Sequence, residues 1–205
     1  MTDKDALSTR GRALEEQYFH KQELELIEKL RRRGQDERER RRLSEGTGVA
    51  DEEILQDLLA LGYTPETVML LHVVPLVQIA WAEGSVSKSE RRLIVEAARA
   101  RGVAAGSAAD QVLAQWLERR PSDEFFEKTL RAVAAMLHAQ PDDVRQASQH
   151  DLLGYCSAIA HASGGVLGFG SVTPDERETL AKITQVLESR QMARAGENDP
   201  TGQDS

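Results

Sequence analysis

Ile79-Ala-Trp-Ala-Glu-Gly84, running into Ser85-Val-Ser-Lys-Ser-Glu-Arg91, decides the fold because the chain says it twice. The second copy reads Ile159-Ala-His-Ala-Ser-Gly164, then the insert Gly165–Gly170, then Ser171-Val-Thr-Pro-Asp-Glu-Arg177. Each copy ends an apolar helix, turns at a glycine and opens a new helix on Ser or Thr, with Glu three residues later. That spacing is a capping box: the hydroxyl accepts from the amide at the third helical position, and the glutamate accepts from the amide of the cap. A duplicated helix–turn–helix predicts two similar hairpins that bury a common apolar face. The expected fold is therefore all-α, one domain of about seven helices with internal pseudo-twofold duplication.

Working outward, the domain spans 49–192. Asp51–Leu61 reads as an amphipathic helix that stops at Gly62. Thr64-Pro65 opens the next, a threonine cap with proline at the first helical position, and Pro75 is expected to kink it. Ser87 caps a third helix that ends near Gly102. Asp110–Arg119 carries Val112, Leu113, Trp116 and Leu117 on one face. Pro121-Ser122 starts a fifth helix with Phe125, Phe126, Leu130, Val133 and Leu137 inward. Pro141-Asp142 starts a sixth that ends at Ser163, and Thr173-Pro174 a seventh over Asp175–Gln191. No sustained alternation of apolar and polar residues bounded by hairpin turns argues for a strand.

Residues 1–46 form a charged helical arm. A long helix over 9–43 places Phe19, Leu26, Ile27 and Leu30 on one narrow stripe, with acid-first i,i+4 pairs such as Glu37–Arg41. Ser44–Gly48 reads as a linker. The tail 193–205, rich in Gly, Asn, Asp and Pro, is expected to be disordered.

Composition narrows the function. The 205 residues carry a net charge of −8. Residues 1–46 hold 12 basic and 11 acidic side chains, so the acidity sits on the remainder. An acidic domain is a poor partner for nucleic acid, and no specific nucleic-acid binding is expected. The arm does carry seven arginines within 31–42, but among acidic neighbours and without stacking aromatics. Aromatics are only 4%, so the core is built from Leu, Val, Ile and Ala, a composition that suits helices. Cys156 is the sole cysteine, which excludes an intrachain disulfide. The charged start lacks a signal-peptide pattern, and the longest apolar run, Val68–Ala82, is too short for a bilayer span; a cytoplasmic location is expected.

Ala82-Glu83-Gly84-Ser85-Val86-Ser87-Lys88-Ser89-Glu90 resembles the signature of the TerB-like family, Ala-Asp-Gly-x-Val-Ser-x-x-Glu, between two helices. The family is named for tellurite-resistance proteins, and its module also forms the N-terminal part of DjlA-type co-chaperones. The resemblance covers roughly 49–190 and implies an all-helical domain of about seven helices and a stress-response setting. The family's aspartate is replaced by Glu83 in one copy and Ser163 in the other. Acidic residues of the family are associated with divalent metal. The co-chaperones' His-Pro-Asp motif does not occur in this chain, so stimulation of a chaperone ATPase is not expected. Arg12–His20 is faintly similar to small ATPase-inhibitor proteins, a string onto which charged helices converge easily.

Three sets of residues are candidates for function. Glu83, Glu90 and Glu176 could converge on one divalent cation if the copies face each other; the competing reading spends Glu90 and Glu176 on their capping boxes. Val166, Leu167 and Phe169 make an apolar tip within the insert, suited to a protein partner or peripheral membrane contact. Phe19, Leu26 and Leu30 offer an apolar stripe on the arm. The five histidines lack metal-ligand spacing, and His161 takes the slot of Trp81, which favours packing. Gly164–Gly170 lacks the Lys-Ser/Thr of a phosphate loop. No nucleophile stands beside a base with an orienting acid. The expectation is a non-catalytic interaction or scaffold module with a protein partner and no certain cofactor. A cation sensor is the alternative, and oligomeric state is left open.

Overall fold

The computed structural model describes residues 26–31, 33–162 and 172–189. Two compact units divide at Arg41–Arg42, ahead of the boundary expected at 46–49. In the first unit, residues 26–31 and 33–41 are helical. The second unit is all-α among its described residues.

The expected linker is instead the end of a helix. Residues 42–47 (α1) are helical, and Leu43 is wholly buried. The Thr47 hydroxyl donates to the Leu43 carbonyl (2.8 Å) and accepts from the Val49 amide (3.2 Å). Gly48 then turns the chain at φ 72°, a left-handed conformation that favours glycine. What looked like a polar spacer continues the helix, and Leu43, just ahead of it, docks that end.

α2 (Glu52–Ala60) starts on Asp51, whose carboxylate accepts from the Glu53 and Ile54 amides at 2.9 and 3.1 Å. The helix expected from Thr64 is broken in two. Thr64–Thr67 is a turn: the Thr67 hydroxyl accepts from the Thr64 amide at 2.9 Å, and the Thr67 and Val68 amides both donate to the Thr64 carbonyl (3.0 and 2.9 Å). A 3₁₀-helix follows (Val68–Val73), and α3 (Val74–Ala80) begins afresh with Pro75 in its first turn. Pro75 therefore starts a helix rather than kinking one: at that position its missing N–H removes no helical bond.

α4 (Lys88–Ala100), α5 (Ala108–Glu118), α6 (Asp123–His138), α7 (Asp142–Ala162) and α8 (Pro174–Glu188) complete the unit. α5 begins two residues earlier than expected because Ser107, not Asp110, supplies the cap. The Asp110 carboxylate is held by Arg99 (2.6 Å) and the Gly106 amide (2.7 Å). α8 stops at Glu188, where Ser189 is extended, three residues short of the expected end.

α3 is buried on every side: Val74, Pro75, Leu76, Val77, Ile79 and Ala80 all lie inside. A helix apolar all round belongs at the centre of a fold. It packs on α4, α6, α7 and α8, while α6 packs on α2, α3, α7 and α8. The duplication governs this packing. α3 touches both helices of the α7–α8 hairpin, and α7 touches both helices of the α3–α4 hairpin. Equivalent residues match in burial, Ile79 with Ile159 and Ala80 with Ala160, all within 1% of full burial.

Candidate functional site

Both predicted capping boxes form. In the first, the Ser87 hydroxyl accepts from the Glu90 amide (3.2 Å) and the Ser87 amide donates to Glu90 Oε2 (2.7 Å). In the second, the Thr173 hydroxyl accepts from the Glu176 amide (3.3 Å) and the Thr173 amide donates to Glu176 Oε2 (2.8 Å). Gly84, at φ 84°, makes the turn that feeds the first clasp. Glu90 and Glu176 are 2% and 0% exposed, unusual for ionisable side chains.

Burial pushes the Glu90 carboxyl above its ordinary range. Its bonds to the Ser87 hydroxyl and amide offset part of that, and the charges of Glu176 and Glu83 add to the rise. The duplication has thus brought the two clasps within electrostatic reach of each other. A further bond joins the hairpins at the same place: the Ser89 hydroxyl donates to the Ala162 carbonyl at 3.0 Å. The three glutamates nevertheless do not make a cation cage. Glu90 and Glu176 each commit an oxygen to a cap, and Glu83 lies on the surface. Among the described residues no group of three or more His, Cys, Asp or Glu is placed to hold a metal ion.

The other sequence candidates scatter. Leu26 and Leu30 of the arm are exposed, together with Ile27. Phe19, Val166, Leu167, Phe169 and the tail 193–205 lie outside the described residues. His161 does not pack as Trp81 does; it is exposed, and its Nδ1 donates to the Ser157 carbonyl (2.6 Å) of its own helix. Its ring is smaller and bonds within α7, so the slot is not filled alike in the two copies. His72 is half-buried, and burial, reinforced by the Arg101 charge, lowers its pKa to about 4. The Cys156 thiol is buried and pushed up to about 12, which makes it inert at neutral pH.

Sequence reasoning missed a cleft of about 820 Å³ where α2 ends, α5 ends and α6 begins. Its apolar surface comes from Leu61, Trp116 and Phe125, and its polar surface from Glu118, Arg119 and Arg120. The aromatic side is built by three rings: Trp116 lies 5.0 Å from Phe125, and Tyr63 lies 6.1 Å from each. Tyr63 is anchored below by Thr129, hydroxyl to hydroxyl, at 3.3 Å. After α5 the chain runs extended through Arg119 and re-enters a helix on Ser122, whose hydroxyl accepts from the Phe125 amide at 3.1 Å. The end of α5 is fixed from outside. Trp81 Nε1 donates to the Trp116 carbonyl (2.8 Å), and Arg91 donates to the Leu117 carbonyl (2.6 Å). Both donors belong to the first copy of the repeated motif. Arg120 is paired with Asp123 and lies 5.4 Å above the Phe126 ring. Arg119 is exposed and makes no ion pair among the described residues.

Compared with known proteins, the chain matches no family model, no curated protein and no solved structure. Among the described residues no helix is long and apolar enough to cross a membrane.

Proposed function

We propose that the protein is a non-catalytic helical interaction module, TerB-like in its repeated motif, that receives a segment of a partner protein in the α2–α5–α6 cleft. One observation carries this reading: the first hairpin commits Trp81 and Arg91 to fixing the end of α5, and that end forms the cleft wall. Holding one helix terminus from a neighbouring element preorganises a surface, which lowers the cost of ordering it on binding. The cleft volume falls in the range of recognition pockets, about 300–1,000 Å³. A tellurite-type stress role belongs to this proposal through the motif resemblance alone.

Site-specific photocrosslinking tests it. A photoreactive residue at Gln115, which lines the cleft, is expected to capture a discrete protein in cells. The same residue at Gln146, exposed on α7, is expected not to. Equal capture from both positions, or none from Gln115, overturns the reading.

A further inference from the structure

We infer that the N-terminal arm pairs with the arm of a second copy of this chain, in an antiparallel two-helix seam centred on Leu26 and Leu30. This surface stands apart from the cleft and does not depend on it. Among the described residues five large apolar side chains are exposed, and three of them stand within one turn of the arm: Leu26 (56%), Ile27 (42%) and Leu30 (58%). A helix that is polar on its other sides gains little from its own turns and is held by whatever covers its apolar stripe.

Charge along the arm says what covers it. Heptad spacing runs through the stripe in two lines: Glu16, Glu23, Leu30 and Glu37 on one, Phe19, Leu26, Arg33 and Arg40 on the other. Arg33 and Glu37 are helical and exposed, as the leucines are. Glu16, Phe19 and Glu23 lie outside the described residues and enter through their sequence spacing. The charges are segregated: residues 15–28 carry five acidic side chains and one basic, and residues 29–42 carry eight basic and three acidic. A parallel pair would stack Glu16, Glu23, Arg33, Glu37 and Arg40 each on its own copy, so every charged layer would repel. An antiparallel pair about a two-fold axis level with Glu28 stacks one line on the other. Leu26 then meets Leu30, Glu23 meets Arg33, and Glu16 meets Arg40 of the second copy. The remaining layer, Phe19 with Glu37, adds no charge match. The apolar centre is short, so the charged layers fix direction and register at a cost in strength, and the pair is weak and sensitive to salt. An anionic lipid surface or a nucleic acid would attract the basic half and be repelled by the acidic half.

Sedimentation equilibrium of the full chain, from micromolar to submillimolar concentration, tests this. The expected result is a monomer–dimer equilibrium whose dissociation constant rises with salt. By symmetry Glu23→Arg puts two like-charge layers into the antiparallel pair, and it is expected to weaken the dimer about tenfold or more. Adding Arg33→Glu to the same chain restores opposite charges in both layers and is expected to restore the dimer. A parallel pair would be indifferent to Glu23→Arg. Leu30→Ser is expected to abolish the dimer without moving the melting temperature of the second unit, since Leu30 is exposed and belongs to the first. A monomer at every concentration, a dimer unmoved by Glu23→Arg or by Leu30→Ser, or a failure of Arg33→Glu to rescue overturns the inference. So does a monomer that co-sediments with phosphatidylserine vesicles, which would assign the stripe to a lipid surface. Crosslinking from Gln115 reports on the cleft separately.

Discussion

The two copies of the repeated motif agree on the side they turn toward each other and differ on the side they turn away. Inward, Ile79 and Ile159 are equally buried, and Glu90 and Glu176 close the same clasp with nearly the same distances. Outward, Trp81 and Arg91 reach across to the carbonyls of Trp116 and Leu117. Their counterparts stay at home: His161 bonds to Ser157, and Arg177 donates to the Val172 carbonyl (3.1 Å) within its own copy. A duplicated element is held to its original pattern where both copies share one core, because the two hairpins pack on each other there. Away from the shared core that constraint lapses, and the first copy has been put to use in building a cleft.

Several substitutions would break or sharpen this contrast. The largest effects are expected at the shared core. Ile79→Ala and Ile159→Ala should each cost about 2–5 kcal/mol, the usual range for emptying a well-packed site, and by similar amounts. Denaturant unfolding measures both; a cost below about 1 kcal/mol at either position would mean that this residue lies outside the shared core.

Next comes the outward pair. Arg91→Ala leaves the Leu117 carbonyl without its donor and should cost about 1–3 kcal/mol. Arg177→Ala, at an exposed residue, should stay within about 0.5 kcal/mol. Equal costs would show that Arg91 contributes nothing particular to the end of α5.

Acid titration should separate two buried groups of opposite sign. His72 has its folded pKa lowered to about 4, so the unfolded chain takes up a proton first as pH falls. Its contribution to stability is present at neutral pH and is lost between the ordinary histidine range and about pH 4. Glu90 has its folded pKa raised, so the folded state takes up a proton first, and its contribution declines as pH rises above the ordinary carboxylate range. Melting curves from pH 7 to pH 4 should therefore fall less steeply in His72→Gln than in the native chain. Glu90→Gln keeps an acceptor for the Ser87 amide while removing the charge, and should melt at the same temperature or higher at pH 7. A large loss at pH 7 in that variant would mean the charge itself holds the clasp.

The smallest effect is expected from divalent cations. Millimolar calcium or magnesium should leave the melting temperature unchanged, because both buried carboxylates are committed to caps. A rise of several degrees would reinstate the cation-binding expectation.

The sequence made the clasps legible because a capping box is complete within four residues; Ser87–Glu90 and Thr173–Glu176 need no distant partner to be recognised. The inward face of α6 was legible for a similar reason, since helical period alone places Phe125, Phe126, Leu130, Val133 and Leu137 on one stripe, and all five are buried. The break between the 3₁₀-helix and α3 was not legible. A proline reads equally as a kink or a first turn; Pro75 takes the second because the six residues ahead of α3 wind as a 3₁₀-helix. Nor was the docked end of α1, where a single leucine, Leu43, outweighs its polar neighbours. The cleft was the least visible of all. It joins Leu61 to Trp116 and Phe125, and its wall depends on Trp81 and Arg91, side chains that share no periodicity. The local hint was the juxtaposition of Trp116, Arg119-Arg120-Pro121 and Phe125, an aromatic and basic helix junction that amphipathic counting treats as core and surface separately.

The Ser89–Ala162 bond has an evolutionary corollary. It secures the chain where it departs from α7, and the Thr173–Glu176 clasp secures it where α8 begins. The first copy crosses the step between its helices with a tight turn, the Gly84 amide donating to the Trp81 carbonyl at 3.0 Å. Insertions and deletions should accordingly spare 83–86.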